Sequence, residues 1–471
     1  MSFVGCAKVQ SRSVAAKIQD PQLGAPGCSC EAICGGDEGQ SDISSIGRRF
    51  RVLDLLIRNS RLRGLEGLRD VGIQDGRIAV VARRIRGDSA KEIDAGGRLL
   101  VPGFANIHCH LDKCLTGAWA EVWEEASKGS PEAIPAATRV KERFTESDIL
   151  ERAGEAVATS VQAGTTAIRA FADVDTVGGL LAVKSLLKLR GMVRDAIDLQ
   201  VVAFPQEGIL RDEGTEELLE KSMDLGADVV GGIPWYEKDR EAAARHTDLV
   251  FDIAEKYGKD VHALIDDNTD PSSRNIEYFL KTAIRRGFKG RVAASHCRGG
   301  LDSPDEAYAG RIVSLAKKAG LTVVENSHVS LFMYGRTGGH PVRRGVTRIR
   351  EFVEAGVNVA VGQDDIDDPY YPFGRGDMLE LAFVVCHAAH LGTPQELEWA
   401  FDMVSSGPAK GMRLDSYGIG VGNWADLVLL DAETVHEALR LQPARLAVIK
   451  RGKVVAETKT RRRLRLKRSV S

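Results

Sequence analysis

The stretch best equipped for chemistry is Val101-Pro-Gly-Phe-Ala-Asn-Ile-His108-Cys-His110-Leu-Asp-Lys113. It reads as a short apolar strand ending in two histidines with one residue between them. Strand side chains alternate faces, so His108 and His110 point the same way. Two imidazoles side by side at a strand end form half of a divalent-metal site. Surface histidine pairs share this spacing, so the setting has to separate the two readings. Here the pair closes an apolar run, and candidate partners lie at later strand ends.

Those partners are Asp260-Val-His262, Ala294-Ser-His296 and Gly362-Gln-Asp364-Asp365. Singly, each has a structural explanation: a hydrogen-bonded core histidine, or a helix N-cap for Asp364. Together they bring four histidines and an aspartate to matched positions. Neutral imidazoles plus one carboxylate hold Zn2+ or Fe2+ and leave a place for water. The ion lowers the pKa of that water from about 15.7 towards about 7. On this reading Asp364 binds the metal and also takes the attacking water's proton. His296 faces the substrate atom that becomes anionic.

A matched rim needs a scaffold. Apolar runs recur at Leu99–Ile107, Thr165–Phe171, Ile197–Phe204, Asp228–Ile233, Asp260–Ile265, Arg291–His296, Leu321–Glu325 and Val357–Gly362. Helical patterns such as Glu146–Ala163 and Pro304–Lys318 lie between them. Apolar strands alternating with helices imply a parallel sheet covered on both faces. Eight such units imply a (β/α)8 TIM barrel over residues 101–410, whose active site lies at the C-terminal strand ends. Residues 49–100 and 411–456 instead carry short strands with turn residues between them, including Asp75-Gly76, a hairpin signal. They are expected to pair as a small β-sandwich domain built from both chain ends. Residues 1–48 read as a poorly structured extension and 457–471 as a solvated basic tail.

Composition narrows the class. The chain has 471 residues, 43% of them hydrophobic, and a formal net charge of −2. Such a balance gives no case for a nucleic-acid or membrane partner. There is no signal-peptide core and no apolar run long enough to span a bilayer. Cys28, Cys30 and Cys34 lack a fourth ligand for a metal clip; Cys109, Cys114, Cys297 and Cys386 fall in core elements. A reducing, cytoplasmic setting is expected. No patch decides whether the chain forms a homo-oligomer.

From about residue 50 to 456 the chain resembles the amidohydrolase superfamily, and most closely its bacterial cytosine deaminase branch. Beyond the H-x-H, the likeness rests on Val201-Val-Ala-Phe-Pro-Gln206-Glu-Gly-Ile-Leu210, Leu225-Gly-Ala-Asp-Val-Val-Gly-Gly-Ile-Pro234 and Ala294-Ser-His296. Arg343–Arg348 and Gly362-Gln-Asp-Asp365 with Asp368-Pro-Tyr-Tyr-Pro372 extend it. The resemblance implies hydrolytic deamination of a small nitrogen heterocycle with one divalent metal ion. It implies that His108, His110, His262 and Asp364 bind the metal and His296 is catalytic. Gln206 would hold the ring amide, and Asp365 would face the substrate. Strand four lacks the bridging lysine of many binuclear relatives, in keeping with a single ion.

The chain also departs from that branch. The usual glutamate three residues after the strand-five histidine is replaced by Ile265, leaving Asp266 or Asp267 to shuttle protons. Phe171 stands where histidine is common, and Tyr370 where tryptophan is usual. Both are expected to line a modified substrate pocket, with Lys113, Trp119, Trp123 and Glu124 as further shaping residues. Ring opening or N-dealkylation by the same site is the alternative chemistry. An inactive barrel serving as a binding protein is the alternative of another class. A cytidine-deaminase zinc motif, H-x-E with P-C-x-x-C, is absent.

Overall fold

The computed structural model describes residues 41–42, 52–117, 119, 133–335, 344–461 and 463. The described residues all fall in one compact unit. Cys28, Cys30, Cys34, Trp123, Glu124 and Arg343 lie outside the described residues.

Eight strands form the barrel. They are β1 (Phe104–Cys109), β2 (Thr165–Asp173), β3 (Asp198–Phe204), β4 (Val229–Gly232), β5 (Asp260–Ile265), β6 (Val292–His296), β7 (Thr322–Glu325) and β8 (Asn358–Val361). Each pairs with the next in chain order, all in parallel. The ring closes beyond the end of β8. The amide of His110 donates to Asp364 O at 2.8 Å, and that of Asp364 donates to His108 O at 2.8 Å. The closing seam of the barrel therefore joins three of the expected metal ligands.

The apolar runs are continuous because both faces of each strand are covered; all nine residues of β2 are buried. Outward residues such as Ile168, Val201, Ala263 and Ile265 pack with helix residues, including Val157, Leu186, Val250 and Phe279. Inward residues divide by depth. Ala105, Ile107, Ala293 and Val324 form one cluster, while Phe171, Val202, Phe204 and Leu264 form another. Side-chain caps start the helices: Thr145 for Glu146–Gln162, Asp239 for Arg240–Tyr257 and Asp305 for Glu306–Ala319.

The first strand is shorter than expected. Leu99–Pro102 leaves the barrel and joins the small sheet, and only Phe104–Cys109 enters β1. Gly103 makes the break, because a Cβ there would lie 2.2 Å from the Thr166 side chain. Leu99–Pro102 pairs with Leu55–Leu62 on one side and antiparallel with Leu427–Leu430 on the other. Arg445–Lys450 and Lys453–Glu457 continue the sheet beyond Leu427–Leu430. Both chain ends thus build one sheet over the core of Leu55, Ile57, Val71, Leu100, Leu427 and Ile449. Asp75 and Gly76 turn its hairpin with φ of 51° and 76°, as a type I′ turn requires. Among the described residues, no helix is long and apolar enough to cross a membrane.

Candidate active site

His108 near the end of β1 and His110 just beyond it face Asp364 across the seam. Their Nε2 atoms are 3.2 Å apart, and Asp364 Oδ1 lies 3.1 Å from the first and 3.5 Å from the second. All three residues are buried. Burial drives the His110 pKa well below the ordinary range, and the Lys113 charge adds to this. Burial opposes ionisation of Asp364, but His108 and His296 outweigh it and hold that carboxyl low. Neutral nitrogen and anionic oxygen converging on one point are the donor set of a divalent cation. The residues present fit the ion that the family resemblance implies.

The surroundings orient these donors. Ser295 Oγ is 2.5 Å from His108 Nδ1, a partner for the nitrogen that faces away from the cluster. Phe171 stacks on the same ring at 4.1 Å between centroids and an interplanar angle of 16°. It packs under the imidazoles and is not among the residues lining the cleft. Lys113 Nζ lies 3.0 Å from His110 Nδ1 and 2.8 Å from Asp173. Lys141 extends this buried network, contacting Asp173, Asp175 and Glu207 at 3.2, 2.6 and 2.8 Å. Lys113 is therefore tied to His110 and Asp173 and is not among the residues lining the cleft. Trp119 packs beside Phe144.

His262 stands apart from the three converging ligands. It lies inside β5, which continues to Ile265 because Ile265 pairs with His296. The strand coincides with the apolar run Asp260–Ile265 read from the sequence, so His262 lies within it and not at its end. Its Nε2 meets Ser295 Oγ at 2.8 Å, and its Nδ1 lies 3.4 Å from Arg169. Its ring centroid is 5.5 Å from that of His108. Burial, with Arg169 next, lowers its pKa well below the usual value.

The two aspartates after β5 point differently. Asp266 accepts from Ser273 Oγ, Asn275 Nδ2 and the amide of Ile276 at 2.5, 2.8 and 3.0 Å. It anchors a loop and does not line the cleft. Asp267 does line it, paired with Arg298 and accepting from Tyr334 OH at 3.0 Å. Ile265 faces the helix layer, while Leu264 forms part of the cleft wall.

That cleft lies above Asp364. Gln206, Asp365, Tyr370 and His296 line it, together with Trp235 and Arg298. Ile134, Ile233, Leu264, Val329 and Met333 supply its apolar wall. Asp365 Oδ1, Tyr370 OH, His296 Nε2 and Trp235 Nε1 are buried without a hydrogen-bond partner among the described residues. Such atoms are costly unless a ligand meets them. Burial lowers the His296 pKa to about 4, so the ring is neutral at pH 7. Burial also raises the Asp365 pKa well above the carboxylate range, and the neighbouring Asp364 adds to this. His296 and Asp364 hold φ of 70° and 61°, a left-handed backbone that is uncommon for non-glycine residues.

Sequence reasoning did not reach Ser295, Asp173, Trp235 or Arg298. Ser295 had a signal, because it sits between Ala294 and His296 on β6. Asp173 closes β2 and meets Lys113 there, while Trp235 and Arg298 lie in segments beyond β4 and β6.

Comparison with known proteins agrees with this geometry. A model of the Amidohydrolase family matches residues 141–456. The chain is 32% identical over 408 residues to N-isopropylammelide isopropyl amidohydrolase of Pseudomonas sp. strain ADP, covering 86% of this chain and 97% of that one. It is 28% identical to pterin deaminase of Rhizobium rhizogenes, over 82% of this chain and 87% of that protein. The solved structure of 5-methylcytosine deaminase from Klebsiella pneumoniae, liganded with 5-fluorocytosine, superposes with a TM-score of 0.83 at 36% identity. That match covers 87% of this chain and 99% of the other. The barrel, the paired imidazoles facing an aspartate and these likenesses identify the chain as a member of the amidohydrolase family.

Proposed function

We propose that the protein is a metal-dependent hydrolase that deaminates a small nitrogen heterocycle. Water adds to a ring amidine carbon, the exocyclic carbon–nitrogen bond breaks, and ammonia leaves behind a ring carbonyl. The observation that carries this reading is the convergence of His108, His110 and Asp364 beneath a cleft with unpartnered polar atoms. Its relatives include proteins named as deaminases of 5-methylcytosine and pterin.

Zn2+ or Fe2+ suits the donor set, and the bound ion would supply Lewis acidity and an activated water. His108, His110 and Asp364 would hold it, and His262, whose Nε2 meets Ser295 Oγ at 2.8 Å, would be the fourth ligand. Asp364 Oδ2, 3.9 Å from His296 Nε2, receives the proton of the attacking water. His296 donates to the substrate atom that gains negative charge. Gln206, Asp365 and Tyr370 orient the ring. Asp267, the one aspartate after β5 that reaches the cleft, replaces the usual glutamate in proton movement. Residues 101–410 are the catalytic part, and 49–100 with 411–456 the supporting β-domain. The free cysteines among the described residues fit a cytoplasmic setting.

Removal of an N-alkyl group is the second reading. The apolar wall favours it, because Leu264, Val329 and Met333 can seat an alkyl substituent. The test is product analysis over a panel of aminopyrimidines, pterins and amino- and alkylamino-triazines, with zinc- and iron-loaded protein. Ammonia release supports deamination, and alkylamine release moves the assignment to dealkylation. No turnover by protein that retains metal would contradict both.

A further inference from the structure

We propose that Arg298 is a positioning residue that fixes His296 as the tautomer bearing its proton on Nε2. For its part in the reaction this rests on the deaminase reading; the tautomer itself does not.

Arg298 follows His296 by two residues and is buried at 1% exposure. Left-handed backbone at His296 and Cys297, with φ of 70° and 49°, brings the two side chains together. Arg298 Nη2 lies 2.8 Å from His296 Nδ1. A guanidinium has five N–H donors and no acceptor. Nδ1 must therefore offer a lone pair, which places the single proton of a neutral imidazole on Nε2. The guanidinium cannot readily turn away. It pairs with Asp267, donates to Ser330 Oγ, and lies over the Tyr334 ring at 4.1 Å from the centroid.

The arrangement reverses a common one. A carboxylate bonded directly to a histidine draws the proton to the nitrogen it faces. Asp267 Oδ1 lies 3.6 Å from His296 Nδ1, beyond hydrogen-bond range, and is held by Arg298 and Tyr334. Arg298 interposes a donor, so the carboxylate acts through it with the opposite outcome. His296 Nε2 has no hydrogen-bond partner among the described residues and faces the cleft and Asp364. A proton there makes His296 a neutral donor to an oxygen that forms in the cleft, without its having to be protonated first.

The test is 15N NMR of histidine-labelled, metal-loaded protein, with the His296 signals identified by their loss in His296→Gln. Wild type and Asp267→Asn should both show Nε2–H, because each keeps Arg298. Arg298→Met should lose that preference, with kcat falling about 100-fold and KM changing by less than about threefold. Arg298→Lys should recover about tenfold of the loss, because an ammonium can still donate to Nδ1. Should Arg298→Met not fold, Arg298→Met/Asp267→Asn removes the buried pair together and should lose the preference likewise. A wild-type proton on Nδ1, or an unchanged tautomer in either variant lacking Arg298, would overturn the proposal. Protein with the Nε2–H pattern but no turnover of any heterocycle counts against the deaminase reading and supports the tautomer assignment.

Discussion

The two ends of the barrel differ in the buried polar atoms they leave unpartnered. At the N-terminal end the buried cations Lys450 and Arg445 are each answered. Lys450 Nζ donates to Asp198, Asp426 and Thr166 O at 2.6, 2.7 and 3.1 Å. Arg445 pairs with Asp377 and donates to the carbonyls of Ala163 and Pro443 at 2.9 Å each. At the C-terminal end, His296 Nε2, Asp365 Oδ1, Tyr370 OH and Trp235 Nε1 stay unpartnered, and strained backbone holds His296 and Asp364. The paired end stabilises the fold; the unpaired end keeps polar atoms ready for a ligand at a cost in stability.

This contrast predicts that substitutions at one end spare the property governed by the other. The largest effect belongs to Asp364→Ala, which should lower ammonia release by at least about 1,000-fold. Bound metal should fall with it while the urea midpoint moves little, as metal assay and unfolding curves will show. Substantial residual turnover would contradict its role.

Lys450→Ala should do the reverse. It leaves Asp198 and Asp426 facing each other and should cost about 3 kcal/mol of stability. Folded variant should retain wild-type kcat. Loss of activity without loss of stability would erase the distinction between the ends.

The aspartates after β5 sharpen the comparison within one loop. Asp267→Asn should lower kcat about 100-fold. Asp266→Asn should cost about 1–2 kcal/mol of stability and leave kcat within about threefold. If neither affects turnover, no aspartate of this loop moves protons.

A smaller effect concerns Glu325, buried at the end of β7, where it accepts from the amide of Thr347 at 3.1 Å. Burial raises its pKa from 4.5 to about 7. A raised pKa means the folded state holds the proton more tightly. Its contribution to stability is full below about pH 4.5 and is lost as pH rises through about 7. Glu325→Gln should therefore gain stability relative to wild type at pH 8 compared with pH 5, by a few kcal/mol at most. Parallel pH dependences in urea unfolding would contradict this.

Much of the site was legible in the sequence because strand periodicity carries it. His108 and His110 follow from strand alternation, a local rule, and Asp364 from barrel closure, which joins the first strand to the last. The run Asp260–Ile265 gave the extent of β5, but not that His262 Nε2 would meet Ser295. Gly103 likewise gave no warning that it would split the first run between two sheets. Arg298 and Lys113 depend on Asp267 and Asp173, 31 and 60 residues away in the chain. Loop geometry joins those pairs, and no periodicity encodes it.

The most direct measurement is anomalous diffraction from crystals of the metal-loaded protein. A single ion should appear about 2 Å from His108 Nε2, His110 Nε2 and an oxygen of Asp364, with His262 Nε2 turned from Ser295 towards it. An ion held elsewhere, for instance by His110, Asp112 and Asp173, or no bound ion in active protein, would contradict the account.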